Sequence, residues 1–345
     1  MFTKAAVLVA GSWGTALASV LADKGLQVAL WTRNAEQAEE INREHRNHYL
    51  PNAVLSSNIY ATTSMEEAVA DAEAVVIVSP SSAVRLVARQ LKPYWTEDKL
   101  IMHAVKGFEM ESLKRVSTVI SEELECEEER IVVLSGPSHA EEVVNRCPTT
   151  VVVASLNQFE AERAQDLFMH SYFRVYTNLD LIGVELAGAL KNIIALGAGM
   201  SDGLNFGDNA KAALLTRGLA EITRLGTSLG ANPLTFAGLA GIGDLVVTAT
   251  SKHSRNWRAG YMLGQGMELE YVLQNMGMVV EGVRATKAAY EIALQHSVPM
   301  PIAGQLYHVL FEGMGARTAV EALMGRDKKT EMEIMSQETW EQWHT

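Results

Sequence analysis

Cysteine is scarce: Cys126 and Cys147 are the only two in 345 residues, and they stand in unrelated surroundings. Two such residues cannot make a disulfide framework. With no C-x-x-C pair and no His/Cys cluster, the chain also lacks the usual marks of a metal site. Positive charge is short as well. Lys and Arg number 29 against 41 Asp and Glu, a formal net charge of −12. That balance argues against nucleic acid or an anionic membrane as partner. A small anionic substrate would need a local basic pocket. A leader pattern is missing too. MFTKAAVLV runs directly into a strand-like stretch without a basic region, an apolar region and a cleavage site in succession, so the expectation is a cytoplasmic protein. Repeats and low-complexity linkers are also lacking.

What remains is an ordinary globular composition, 48% hydrophobic and 20% charged, with ample core and a length that favours two domains. Residues 5–176 alternate strand and helix signals. Apolar runs predict strands at Ala5–Val9, Gln27–Trp31, Asn58–Thr62, Ala74–Ser79, Leu100–Val105, Ile131–Ser135, Thr150–Ala154 and Phe173–Tyr176. Helical patterns between them include Thr15–Lys24, Ala35–Glu44, Ser82–Leu91 and Ser112–Leu124. Ser64 and Glu67 form a capping-box pattern, and Gly25 stands where a helix-ending glycine belongs. Short buried strands alternating with helices predict a Rossmann-like, doubly wound, mainly parallel sheet. After about residue 180 the β-branched runs nearly vanish and helices take over, at 181–200, 209–229, 241–250, 257–264, 281–296 and 302–312. The expected organisation is an α/β domain over 1–180, an all-α domain over 181–326 and a polar tail over 327–345.

Within that frame several stretches carry chemistry. The first strand runs into VAGSWGTALA. Gly11 and Gly14 fit the second and third glycines of a dinucleotide fingerprint, and Val9 occupies the first. Valine is poorly suited to that place if φ is positive there. The second strand ends in LWTRN, with Arg33 where an NAD-specific fold usually has an acid. An arginine suits the 2′-phosphate of NADP, so NADP, alongside NAD, is the expected cofactor. Lys106 and Gly136-Pro137-Ser138 follow strand ends, where ligands of open α/β sheets sit. SGPSHAEE also reads as a helix start with Ser138 as N-cap. Downstream, Asp244 lies in a glycine-rich approach to a helix. Ser254-Arg255-Asn256 offers a hydroxyl, a guanidinium and an amide, which suits either phosphate or a helix cap.

A further stretch, Asp180–Met200, has helical spacing and many small residues. It is long enough to span a membrane, but Glu185, Lys191, Asn192 and its glycines favour a buried core helix. Lys191 there either snorkels to the surface or loses its water, and desolvation disfavours a lysine's charged form. The second case makes it a candidate acid–base group.

Taken together, AGSWGTALA, AVKGFE, LSGPSHAEEV, FRVYTNLDLIGVELAGALKNIIALGAGMSDG, FGDNAKAALLTRGLAE, GLAGIGDLVVTATS, HSRNWRAG and MVVEGVR make residues 4–325 resemble the bacterial NAD(P)-dependent glycerol-3-phosphate dehydrogenases. The resemblance implies a cytoplasmic homodimer that reduces dihydroxyacetone phosphate reversibly to sn-glycerol 3-phosphate, the backbone of phospholipids. It implies Lys191 as the proton-transfer residue, with Lys106 and Asp244 assisting. Lys106, Gly136, Ser138, Asp244, Ser254, Arg255 and Asn256 match its substrate contacts. Ser12, Trp13, Arg33, Lys106, Ala140, Arg255, Val279 and Glu281 match its cofactor contacts, beside Gly11 and Gly14. Neither a metal nor membrane insertion is implied. Val9 departs from the family's glycine and is expected to weaken the cofactor site. Two other readings are a related dehydrogenase for another phosphorylated or hydroxy-acid substrate, and a non-catalytic dinucleotide-binding protein.

Overall fold

A computed structural model describes residues 2–277, 279–328, 330 and 331. The expected polar tail therefore lies outside the described residues at 329 and from 332 onward. All eight predicted strands form, their ends shifted by at most two residues: β1 (Lys4–Leu8), β2 (Gln27–Trp31), β3 (Ile59–Thr62), β4 (Ala74–Ile77), β5 (Leu100–His103), β6 (Ile131–Ser135), β7 (Thr149–Ala154) and β8 (Phe173–Asn178). Helices α1 (Ser12–Asp23), α2 (Ala35–Glu44), α3 (Met65–Val69), α4 (Val84–Leu91), α5 (Val116–Leu124), α6 (Ala140–Val144) and α7 (Gln158–Phe168) alternate with them. Then come α8 (Leu181–Gly203), α9 (Asp208–Ser228), α10 (Pro233–Phe236), α11 (Asp244–Thr250), α12 (Arg255–Gly264), α13 (Leu269–Met276), α14 (Glu281–Gln295), α15 (Pro301–Phe311) and α16 (Ala316–Met324).

One expected helix is shorter than its pattern. Residues 112–115 do not join α5. Leu113 takes φ 58°, and Phe108 pairs antiparallel with Arg115, so the backbone groups that would start the helix are used in a turn. The expected caps are present: Ser64 accepts from the Glu67 amide, and Gly25 has φ 98°.

The chain divides into two compact units. One comprises Met1–Ala189 with Leu234–Thr248, the other Leu190–Pro233 with Ala249–Thr345. The division falls inside α8 rather than just before it. Residues 234–248, helical in pattern, group with the sheet. Specific contacts hold them there, such as Thr235 Oγ1 donating to Asp180 Oδ2 at 2.6 Å.

In the first unit the sheet order is β3-β2-β1-β4-β5-β6-β7-β8. Every pairing is parallel except β6 with β7. Each face carries its own apolar cluster, one including Val7, Leu17 and Val28, the other Leu8, Val75 and Ile101. That explains the unbroken apolar runs of β4, β5 and β6, whose residues are all buried. The chain reverses its direction of winding between β1 and β4, the position where such sheets open a crevice for dinucleotides.

In the second unit the small residues of α8 let backbones approach. A Cβ on Gly199 would lie 2.0 Å from the Trp257 carbonyl oxygen, and one on Gly260 of α12 would lie 1.9 Å from that of Leu196. Both obstacles are backbone, so neither yields by a rotamer change. Gly260→Ala is expected to destabilise the fold by about 3 kcal/mol through overpacking, read as a lower urea midpoint. An unchanged midpoint would mean the helices separate without cost. The apolar length of α8 would suffice to cross a membrane, yet 94% of its most apolar window is buried.

Candidate active site

The turn after β1 is built around an outlier. Val9 takes φ 87°, the left-handed backbone that a β-branched residue resists. Its amide donates to the Trp31 carbonyl at 3.0 Å, extending the β1–β2 ladder. Its own carbonyl points at α1 so closely that a Cβ on Gly14 would lie 2.2 Å from it. Gly14 is therefore obligatory for the helix to sit on the strand end, whereas a Cβ on Gly11 would meet nothing within 4 Å. Gly11 is the N-cap of α1, and the first turn, which includes Ser12 and Trp13, holds no acidic side chain. Amides at a helix start beside the β1/β4 crevice fit a pyrophosphate.

Behind the turn, two buried amides hold the Ala10 carbonyl: Gln37 Nε2 at 2.7 Å and Asn47 Nδ2 at 3.0 Å. Asn47 also donates to Thr15 Oγ1 at 2.7 Å. This network over-determines the Val9 conformation. The strain resides in the fold and costs about 1–3 kcal/mol. Val9→Gly should therefore raise unfolding stability by about 1 kcal/mol after the added chain entropy of glycine. An equal or lower midpoint would show that Val9 sits there unstrained. Arg33 is exposed at the end of β2, next to the cap residue Asn34, which accepts from the Glu36 and Gln37 amides.

A second cluster stands beyond β5 and β6. Lys106 Nζ lies 2.5 Å from Asp244 Oδ2 and 3.1 Å from the Gly136 carbonyl. Asp244 is 2% exposed. Gly136 has φ 122°, and a Cβ there would come within 3.1 Å of Val151 Cα. Ser138 does not cap α6: its Oγ donates to the Gly136 carbonyl at 2.9 Å, and His139 is the N-cap residue before Ala140. Ser138 and Lys106 thus converge on one carbonyl. Gly188 of α8 packs on this group, since a Cβ there would lie 3.0 Å from Ser135 Oγ and 3.5 Å from Lys106 Cγ.

The second unit presents the remaining residues. Lys191 is 4% exposed and Asn192 5%, so the lysine is buried rather than snorkelling. Ser254 caps α12, accepting from the Trp257 amide at 3.2 Å. Arg255, exposed, donates to the Val279 carbonyl at 3.2 Å, two residues before Glu281 opens α14. Asn256 Nδ2 donates to Asn192 Oδ1 at 2.8 Å, and its Oδ1 accepts from the Gly282 amide at 2.8 Å. The Asn256 amide thereby ties α12 to the residue beside Lys191 and to the start of α14.

Family models named for NAD-dependent glycerol-3-phosphate dehydrogenase match the chain twice, the N-terminal one over residues 4–161 and the C-terminal one over 180–321. The chain belongs to this family. Glycerol-3-phosphate dehydrogenase (NAD(P)+) of Lysinibacillus sphaericus is 58% identical over 334 residues, 96% of this chain and 99% of the relative. That of Bacillus subtilis is 57% identical over 332 residues, 96% of each. The crystal structure of glycerol-3-phosphate dehydrogenase from Coxiella burnetii superposes with a TM-score of 0.89 at 38% identity, covering 94% of this chain and 99% of that one.

This glycerol-3-phosphate dehydrogenase family member also has a buried ionic cluster that sequence reading missed. Glu185 of α8 accepts from the Ser117 amide (2.8 Å), Ser117 Oγ (2.6 Å) and Arg115 Nη1 (2.6 Å). His103 Nε2 lies 3.2 Å from its Oε1. Burial alone would raise its pKa. The His103 contact and the Arg115 charge outweigh burial and hold the carboxyl at about 2. The available signal was a lone glutamate in an apolar helix, two turns before Lys191.

Proposed function

We propose that this chain interconverts dihydroxyacetone phosphate and sn-glycerol 3-phosphate with NADP(H) or NAD(H). Family membership supports this reading. The observation that carries it is Lys106, held by Asp244 beyond the carboxyl ends of β5 and β6. We assign residues 1–180 mainly to the cofactor and 181–326 mainly to the substrate. Gly11, Ser12, Trp13 and Gly14 would hold the pyrophosphate. Arg33 would face the adenosine ribose, and Ala140, Val279, Glu281 and Arg255 would complete the cofactor contacts. When bound, the nicotinamide supplies and accepts the hydride.

Lys191 then moves the proton. In reduction its ammonium protonates the oxygen developing on substrate C2, and in oxidation the amine takes that proton back. Lys106 polarises the same oxygen, and Asp244 fixes the Lys106 ammonium. Arg255, Ser254 and Asn256 would bind the substrate phosphate, and Gly136 and Ser138 would also contact the substrate. A dianion bound away from the reacting carbon positions that carbon. This reading places the enzyme in the cytoplasm, as a homodimer, at the entry to glycerophospholipid synthesis.

Comparison with unphosphorylated dihydroxyacetone tests the substrate assignment. The expected kcat/KM is at least about a hundredfold lower without the phosphate. Equal values would remove Arg255 and its neighbours from substrate binding and point to a different substrate.

A further inference from the structure

The start of α12 carries the three residues assigned above to the substrate phosphate, and Trp257 belongs to the same turn. Its indole Nε1 donates to Asp202 Oδ2, in the last turn of α8, at 2.7 Å. Lys211, in the first turn of α9, places its Nζ 2.7 Å from the same oxygen. The side chains of Asp202 and Lys211 are only 17% and 22% exposed. One carboxylate on α8 thus holds both α9 and α12. The Trp257 ring also stacks on Tyr261 of α12, with centroids 5.2 Å apart and planes 22° from parallel.

Two adjacent side chains of α12 therefore reach α8 at separate points. Asn256 Nδ2 donates to Asn192 Oδ1, beside Lys191, and the Trp257 indole donates to Asp202 at the far end of α8. Successive residues of a helix point about 100° apart, so the two tethers leave α12 in different directions. A single tether would let the helix turn about its own axis, and a second one fixes that rotation. The glycines set only the separation: a Cβ on Gly203 would lie 2.4 Å from the Tyr261 carbonyl oxygen. Arg255 is exposed and stands just before the two tethered residues, so the aim of its guanidinium follows the rotation of α12.

We infer that Asp202 is a positioning residue for the phosphate site, acting through the Trp257 indole on Ser254, Arg255 and Asn256. The inference rests on the phosphate assignment made above. A hydrogen bond to a carboxylate is shorter and stronger than one to a neutral acceptor. An indole offers one donor and no acceptor, so the pair has a single way to meet. Clamping a phosphate needs several donors at fixed places, and a small misplacement far from the reacting carbon is felt there.

Trp257→Phe removes the indole donor and keeps a ring to stack on Tyr261, so it tests the role most cleanly. The KM for dihydroxyacetone phosphate is expected to rise about tenfold, with kcat and the kcat/KM for unphosphorylated dihydroxyacetone each within about twofold of the parent. Asp202→Ala should raise the same KM at least as far. Asp202→Asn, which keeps an acceptor for the indole, should stay within about threefold of the parent. The double variant should be no worse than Asp202→Ala alone, because both changes remove one bond. A merely structural role would lower turnover on the two substrates alike. An unchanged KM in Trp257→Phe, equal losses on both substrates, or additive effects in the double variant would overturn the inference. Arg255→Gln tests the phosphate assignment separately and should raise the same KM. If it does not, that assignment fails and the inference falls with it. If it does while Trp257→Phe has no effect, only the positioning role falls.

Discussion

Lys191→Ala lowers kcat by about a thousandfold, within the range that a positioned acid–base group contributes, while NADPH affinity stays within about twofold of the parent. The split follows from position. Lys191 lies in the middle of α8, 4% exposed, among Ala187, Gly188, Leu190 and Ile194. Those neighbours are buried and apolar, and none of them belongs to the turn after β1 that would hold the pyrophosphate. Direct binding of NADPH, followed by fluorescence beside steady-state rates, separates the two effects. Near-normal turnover would take the proton transfer away from Lys191. Lost cofactor binding would mean that the substitution damages the fold.

Glu185→Gln should cost the fold about 3 kcal/mol near neutral pH, because it leaves Arg115 and its neighbours short of a buried charge. The loss depends on pH in one direction. The folded carboxyl sits at about 2, below its ordinary 4.5. Its contribution is therefore fully present above about pH 4.5 and fades as pH falls toward 2. Urea unfolding of parent and variant at several pH values should show a full gap at pH 7 that narrows below pH 4.5. A constant gap would show that Glu185 acts through shape rather than charge. Because Glu185 and Lys191 share α8, the variant should also lose some turnover at temperatures where it stays folded.

Much of this could be read from the residues. Strand runs that are apolar throughout announce a sheet covered on both faces, and here both faces carry a core. Of the two fingerprint glycines present, Gly14 is required by the close approach of the Val9 carbonyl, whereas a side chain at Gly11 would meet no atom of the chain, and φ 87° at Val9 is the conformation for which the missing glycine is normally kept. Lys191 stood out because a charge inside a run of small apolar residues is costly to bury, and the structure buries it. The partners of these groups were not legible. Lys106 and Asp244 are 138 positions apart, and Arg115, Ser117 and Glu185 meet only once the sheet has formed. The start of α5 was hidden for the same reason, since the Phe108–Arg115 pairing competes with helix where local pattern cannot show it. Ser138 reads as a cap by type, but the left-handed Gly136 turns its carbonyl within reach of the hydroxyl.

The central claim is that this chain reduces dihydroxyacetone phosphate with a nicotinamide cofactor. Its most direct test is the loss of reduced-nicotinamide absorbance when dihydroxyacetone phosphate is added to purified protein with NADPH, then with NADH. The account predicts phosphate-dependent turnover with both, faster with NADPH because Arg33 stands at the end of β2. Folded protein that binds NADPH yet consumes none with dihydroxyacetone phosphate present would contradict it.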